Sequence, residues 1–173
     1  MVSIEFVPDD EIVKEDLAMI SNTAPAAALQ ETFFLLPVKF IIDETDLLLL
    51  PVKQEQRFVS NEQGETKVTG TGKIESIRLP LLDFTTQGFE AVKALREKSQ
   101  SKYSAPGGWN LYFQKEERGI RVTSDVNGKQ VLTDYNQLYR AFSKFELRVR
   151  SFLRERAPLL SKHSYWGPWF AQE

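Results

Sequence analysis

The stretch Tyr135–Arg156, YNQLYRAFSKFELRVRSFLRER, has one reading: an amphipathic helix. Leu138, Phe142, Phe145, Val149, Phe152 and Leu153 recur at steps of three and four residues, which gathers them on one side of a 3.6-residue repeat. Tyr135 and Tyr139 lengthen the stripe by a turn. Asp134 stands before it with Gln137 three residues on, a capping-box variant, and Pro158 ends it because the residue before a proline is biased out of the helical region. Each large side chain on the stripe contributes roughly 1.5–3 kcal/mol when buried, against about 0–1 kcal/mol for an exposed ion pair. The rest of the chain is therefore expected to pack on this stripe.

Ahead of the helix, residues 109–114, 120–126 and 129–133 read as a three-stranded antiparallel meander. Asn127-Gly128 is its turn signal, because a type I′ turn needs two residues that tolerate positive φ. Residues 33–42 and 47–52 read as two strands joined by the hairpin connection 43–46, and 74–79 as a further strand. A weak acidic helix is expected over 11–20. A second main helix, with Phe89, Val92 and Leu95 as its stripe, has Asp83, Thr85 and Thr86 as N-cap candidates and runs through Lys98. The polar, glycine-bearing span 54–73 reads as a long loop or exposed hairpin, and the Ser/Pro/Gly-rich span 99–108 as a connector. At 173 residues this is a single α+β domain over 1–173: an antiparallel sheet, made of the hairpin and the meander, with two main helices packed on one face.

The absence of cysteine excludes disulfides, thiolate metal sites and a Cys nucleophile. The acidic N-terminal stretch lacks the basic start and apolar run of a secretory signal, and Pro37, Lys39, Asp43 and Pro51 interrupt the longest apolar runs. No membrane contact is expected, and the cytoplasm is the default location. Net charge is −2, unevenly spread: residues 1–70 hold 13 acidic against 5 basic side chains, residues 71–173 hold 11 against 17. Such asymmetry can steer a charged partner, or reflect two halves that complement each other.

Signals for catalysis are few. His163 is the one histidine, in a polar and aromatic tail, and reads as a surface or packing residue. Gly70-Thr71-Gly72-Lys73 fails as a phosphate loop, with Lys67 at the first glycine position and Ile74 at the Ser/Thr position. Asp43, Glu44 and Asp46 could approach a hard cation but lack calcium-loop spacing, so a solvated turn is the stronger reading. No metal and no cofactor is implied. Arg140, Lys144 and Arg148, at i, i+4 and i+8, could form a phosphate-binding ridge, although a solvated helix face takes precedence. The tail 158–173 carries Tyr165, Trp166, Trp169 and Phe170. It is expected to dock on the domain, with Trp166 and Trp169 as alternative anchors for a partner, and Gly167-Pro168 argues against a helix there.

The run GWNLYFQKEERGIRV, the NG hairpin and the helix YNQLYRAFSKFELRVRSFLRE together resemble, in layout, the immunity proteins of bacterial toxin–immunity pairs. That resemblance implies a cytoplasmic α+β protein without an active site that masks a toxin. The function expected is accordingly a non-enzymatic protein-binding domain, with a protein partner such as a toxin domain. Its contact surface would be the acidic turn Asp43, Glu44 and Asp46, the loop 54–73 and the aromatics Trp166 and Trp169. Two alternatives stand beside it: nucleic-acid binding through Arg140, Lys144 and Arg148, and a hydrolase or ligand-binding domain without a familiar motif. The sequence leaves the oligomeric state open.

Overall fold

The structure is a computed structural model that describes residues 1–21, 23–50, 58–60, 66–68 and 76–172. Strand β1 (Val2–Phe6) runs antiparallel to β2 (Leu35–Ile42), with Val2 opposite Ile42 and Phe6 opposite Val38. Two helices connect them: α1 (Asp10–Met19), capped by the Asp9 carboxylate on the Glu11 and Ile12 amides, and α2 (Ala26–Glu31). β2 alternates strictly. Leu36, Val38, Phe40 and Ile42 are fully buried, while Leu35 and Lys39 face outward.

Asp43 and Glu44 turn β2 back into β3 (Thr45–Asp46), both at positive φ (44° and 68°). A two-residue loop of that kind matches the strand twist. The second strand is thus two residues long and does not cover 47–52. Leu47 and Leu48 fill the core after the ladder has ended, Leu49 makes a single bridge to Ser76, and 51–52 lie outside the described residues. Within 54–73, β4 (Phe58–Ser60) and β5 (Thr66–Val68) pair antiparallel; the remainder of that span, including Gly70 to Lys73, lies outside the described residues. β6 (Arg78–Pro80) pairs with the Leu35–Pro37 end of β2, and the start of the strand expected over 74–79 also falls outside.

Next, α3 (Leu81–Asp83), a wide π-turn (Phe84–Gly88) and α4 (Phe89–Ala94) run on without a break. Five consecutive residues, Leu81, Leu82, Asp83, Phe84 and Thr85, are buried, so this end of the helix is surrounded by protein rather than laid on a surface. The helix therefore starts after Pro80 and ends at Ala94, and Asp83, Thr85 and Thr86 sit inside it without capping it.

The meander has four strands in the order β7 (Gln100–Ser104), β8 (Asn110–Glu116), β9 (Gly119–Ser124) and β10 (Gln130–Thr133). β7 comes from the span read as a connector, because only its Tyr103 is buried and its composition is that of a loop. At the last turn, Gly128 alone takes positive φ (70°). Asn127 acts through its side chain instead: Nδ2 donates to the Asp46 and Leu49 carbonyls at 3.2 and 3.0 Å, and Oδ1 accepts from the Lys129 amide.

Helix α5 (Tyr135–Arg156) has the bounds its periodicity requires, and Asp134 accepts from the Asn136 and Gln137 amides. A 3-10 turn (Pro158–Lys162) leads to α6 (Gly167–Ala171). The tail is thus partly helical, contrary to expectation, because a proline in the first turn removes only an N–H that has no partner there anyway. Leu138, Phe142, Phe145, Val149 and Leu153 are fully buried. The Phe142 ring lies 5.7 Å from Phe40 of β2, 6.5 Å from Phe113 of β8, 5.7 Å from Phe84 and 6.1 Å from Phe89. The fold is α+β with antiparallel sheets. The hairpin and the meander belong to two separate sheets, and the α5 stripe touches both.

A Cβ on Gly88 would sit 3.0 Å from Phe142 Cε1. We expect Phe142→Ala to cost about 3–5 kcal/mol and Gly88→Ala about 1–3 kcal/mol by overpacking. In the Phe142→Leu background the Gly88→Ala penalty should shrink, and the two effects should fail to add in denaturant unfolding.

Phe34 is fully buried at φ 57°, and its amide donates to Asp16 Oδ2 at 2.8 Å. Burial raises the Asp16 carboxyl above its ordinary value, with the Phe34 amide opposing. The native state thus favours the protonated form, so this group's contribution falls as pH rises from the ordinary carboxylate range through the raised value. Asp16→Asn keeps an acceptor and drops the charge. It should be at least as stable as the native protein at neutral pH, with that advantage vanishing in acid. Asp16→Ala leaves the Phe34 amide without an acceptor and should lose about 1–3 kcal/mol.

Candidate functional site

The acidic turn is less free than its composition suggests. Asp46 is half-buried, and its Oδ1 accepts from the Phe40 and Leu48 amides at 3.3 and 2.9 Å, which fixes the departure from β3. Asp43 is exposed and pairs with the Met1 amino group. Glu44 is exposed and has no ion-pair partner among the described residues. The turn presents one unengaged carboxylate rather than three.

In the tail, Trp166 is buried and its Nε1 donates to the Ala26 carbonyl at 3.2 Å. Trp169 is half-buried, with Nε1 on Glu146 Oε1 at 3.1 Å. Tyr165 is 63% exposed. His163 is buried: Nδ1 accepts from the Tyr165 and Trp166 amides, which leaves Nε2–H to donate to the Ala24 carbonyl at 2.7 Å. The imidazole ties the tail to the loop before α2, so it is a packing residue.

The basic helix divides in two. Arg140 and Lys144 are exposed with no bond to another side chain or carbonyl among the described residues. Arg148 donates to the Ile4 carbonyl, and Arg156 pairs with Asp10 at 2.8 Å. Arg154 donates to the Phe170 carbonyl. Arg150, on the same helix, is buried. It donates to the Gln172 carbonyl and Glu146 and lies 4.8 Å from the centre of the Trp169 ring.

The Ile4–Arg148 contact marks the site that geometry favours. The bonds from Asp43 N to Met1 O and from Val7 N to Pro37 O fix which β1 residues face β2, and these are the odd-numbered ones. The amides and carbonyls of Val2, Ile4 and Phe6 therefore point away from the sheet. Among the described residues, the Arg148 guanidinium on Ile4 O is the one hydrogen bond to that edge, and α5 packs alongside, leaving Ile4 1% exposed. Beside it runs a groove of about 460 Å³ between β1 and α5, with Val2 and Ala141 on its apolar side, Lys144, Arg148 and Glu5 on its polar side, and Leu147, 51% exposed, on its lip. A larger concavity, about 540 Å³, lies on the solvent face of the meander around Lys102, Tyr112, Gln114 and Thr123.

Sequence reasoning passed over a buried polar cluster. Asp83, 4% exposed, accepts from the Tyr103 hydroxyl at 2.7 Å and from Gln30 Nε2 at 2.9 Å, which joins the π-turn helix to β7 and α2. Burial, reinforced by the Asp83 carboxylate, pushes the Tyr103 phenol far above its ordinary value, so it is a permanent donor. The available signal was Asp83 standing between Leu82 and Phe84, a carboxylate with apolar neighbours on both sides.

Among the described residues no three His, Cys, Asp or Glu side chains are placed to hold a metal, and no helix is long and apolar enough to cross a membrane. Comparison of the chain with protein-family models, with curated proteins and with solved structures finds no match in any of the three.

Tyr103→Phe leaves the buried Asp83 short of a donor and should cost about 1–3 kcal/mol. Tyr103→Phe with Asp83→Asn should cost less than the sum of the two single changes, a coupling read from urea unfolding of all four proteins.

Proposed function

We propose that this chain is a non-enzymatic binding domain whose partner is a protein, and that the partner adds an extended acidic segment to the open edge of β1. The observation that carries this reading is the row of outward Val2, Ile4 and Phe6 backbone groups beside a groove walled by Lys144, Arg148 and Leu147. An exposed strand edge is a template for pairing, and proteins ordinarily blunt it. In strand addition the main chain supplies affinity and alternate side chains supply specificity. The two cations steer an acidic segment, and Arg148 can exchange the Ile4 carbonyl for a carboxylate at small cost. Arg140, one turn before Lys144, extends the positive ridge beyond the groove.

This reading moves the contact from the acidic turn to the basic side of the molecule, because Asp43 and Asp46 already have partners within the chain. Neutralising a toxin domain, the role implied by the layout resemblance, would be one instance of it. Duplex binding is less favoured. Each neutralised phosphate contributes about −0.9 to the log–log salt slope, and of the cations on α5 only Arg140 and Lys144 lack bonds among the described residues.

The test uses a synthetic peptide of alternating Val and Glu, its Val/Lys counterpart, and a single-stranded oligonucleotide. Binding of the Glu peptide should shift the backbone amides of Val2, Ile4 and Phe6 in NMR spectra. Leu147→Asp and Lys144→Glu should each weaken it roughly tenfold, about 1.4 kcal/mol. Equal binding of the Lys peptide, shifts confined to other strands, or binding of the oligonucleotide alone would reject the proposal.

A further inference from the structure

We infer, resting on strand addition at β1, that the groove there takes the C-terminal end of the partner chain: an apolar last residue with its free α-carboxylate. The edge is short. Val2, Ile4 and Phe6 are the residues whose amides and carbonyls face outward, and Pro8, which has no N–H, follows two residues later. In antiparallel addition each of the three exchanges an N–H and a carbonyl with one residue of the partner. A short extended segment covers the edge, and a chain end fits such a site without having to leave it again.

The direction of α5 fixes where a carboxylate goes. The Phe152 ring lies 5.1 Å from that of Phe6, and the Arg148 guanidinium reaches the Ile4 carbonyl. Helix and strand thus advance together. Eight residues of helix rise about 12 Å and four of strand about 13 Å, which brings Lys144 beside Val2, and both line the groove. Lys144 is exposed and has no ion-pair partner among the described residues. The last residue of an antiparallel segment pairs with Val2. Its carboxylate accepts from the Val2 amide and from the Lys144 ammonium, two charge-assisted bonds. The residue two before it pairs with Ile4, whose carbonyl Arg148 gives up.

The apolar wall selects the side chain. Residues directly opposite each other in an antiparallel pair point to the same face, so the last side chain shares the α5 side with Val2, against Ala141 and the exposed Leu147. Cation and apolar wall lie within one turn of α5 on either side of Lys144. A terminal residue delivers a carboxylate and an apolar side chain from one Cα. Within a strand, two residues on one face stand about 7 Å apart, and an internal Asp or Glu reaches Lys144 only by lying where the apolar side chain would rest. The other charges agree. Glu5 lines the groove toward Phe6, opposite Lys39 of β2, so the positive charge is concentrated toward Val2. Asp43, which follows the Val2 partner Ile42, is engaged by the Met1 amino group.

The test titrates the native protein with four acetylated peptides. They are Gly-Val-Thr-Val-Thr-Val as the free acid and as the C-terminal amide, the free acid with Gly in last place, and the alternating Val/Glu peptide as its amide. The readout is saturable shifts of the Val2 and Ile4 backbone amides in NMR spectra. The free acid should bind about tenfold more tightly than its amide, and several-fold more tightly than the peptide ending in Gly. Lys144→Met keeps the aliphatic stem and removes the charge. It should leave the melting temperature unchanged and shrink the acid-to-amide ratio to about twofold. Equal binding of acid and amide, a ratio that Lys144→Met leaves intact, or a Val/Glu amide that binds more tightly than the Val/Thr acid overturns the inference; with shifts still at Val2 and Ile4, strand addition at β1 stands. No shift of those amides with any of the four peptides rejects strand addition itself, and the terminal carboxylate with it.

Discussion

Phe142 joins the two halves of this molecule. Its ring meets Phe40 from the N-terminal sheet and Phe113 from the meander, with Phe84 and Phe89 alongside. Neither sheet could bury its apolar face alone, because four strands leave one side open to water and the described residues include only one long amphipathic helix. Placing a single aromatic at the junction makes one core from two sheets. It also dictates its neighbours: Gly88 must lack a side chain where the helix passes the ring, and the surrounding helix widens into a π-turn there.

The buried polar groups obey a second constraint. Asp16 holds the Phe34 amide, Asp46 holds two amides at the end of β3, Asp83 joins Tyr103 to Gln30, and His163 fixes the tail. Each looks like a chemical group in the sequence, and each is engaged by backbone or by a neighbouring side chain that folding brings to it. Low dielectric makes such groups costly unless paired, so pairing of this kind is structural. Among the described residues three places escape the pattern: the outward edge of β1, the hydroxyl of Thr85 and the Nε–H of Arg150. The proposed partner site rests on the first of these, which an added segment would complete.

The sequence disclosed the elements whose apolar period is long or regular, and misplaced those held by side-chain bonds between distant residues. α5 was legible to its end residues because six apolar positions and a capping Asp agree. β8, β9 and β10 were legible as a meander for the same reason. β7 was not, since Gln100, Ser101, Lys102 and Ser104 carry no strand period and only Tyr103, reaching Asp83, ties it down. Asn127-Gly128 marked a turn correctly but for the wrong reason: Asn127 serves as a latch to the Asp46 and Leu49 carbonyls, a contact across some eighty residues that no local rule can see. The positive-φ pair appeared at Asp43-Glu44, where two carboxylates concealed a tight turn behind an apparent charge cluster. Of the candidate site, Lys144 and Arg148 could be named from helical spacing. Their juxtaposition with the edge of β1 depends on tertiary packing and could not.

That juxtaposition explains why α5 is so rich in arginine. Arg148, Arg150 and Arg154 each donate to a backbone carbonyl outside the helix, those of Ile4, Gln172 and Phe170, and Arg156 reaches the carboxylate of Asp10. β1 and the tail are elements with carbonyls that no strand or longer helix satisfies, and a guanidinium is the side chain best able to supply several donors in a fixed fork. Helical spacing places Glu146 and Arg150 on one flank of the buried stripe and Ala141, Lys144 and Arg148 on the other. The pocket beside Trp169 and the β1 groove therefore lie on opposite sides of one rod. Four of the helix's six cations hold the fold's loose ends, and the two that remain, Arg140 and Lys144, lie along the flank that leads to the open strand.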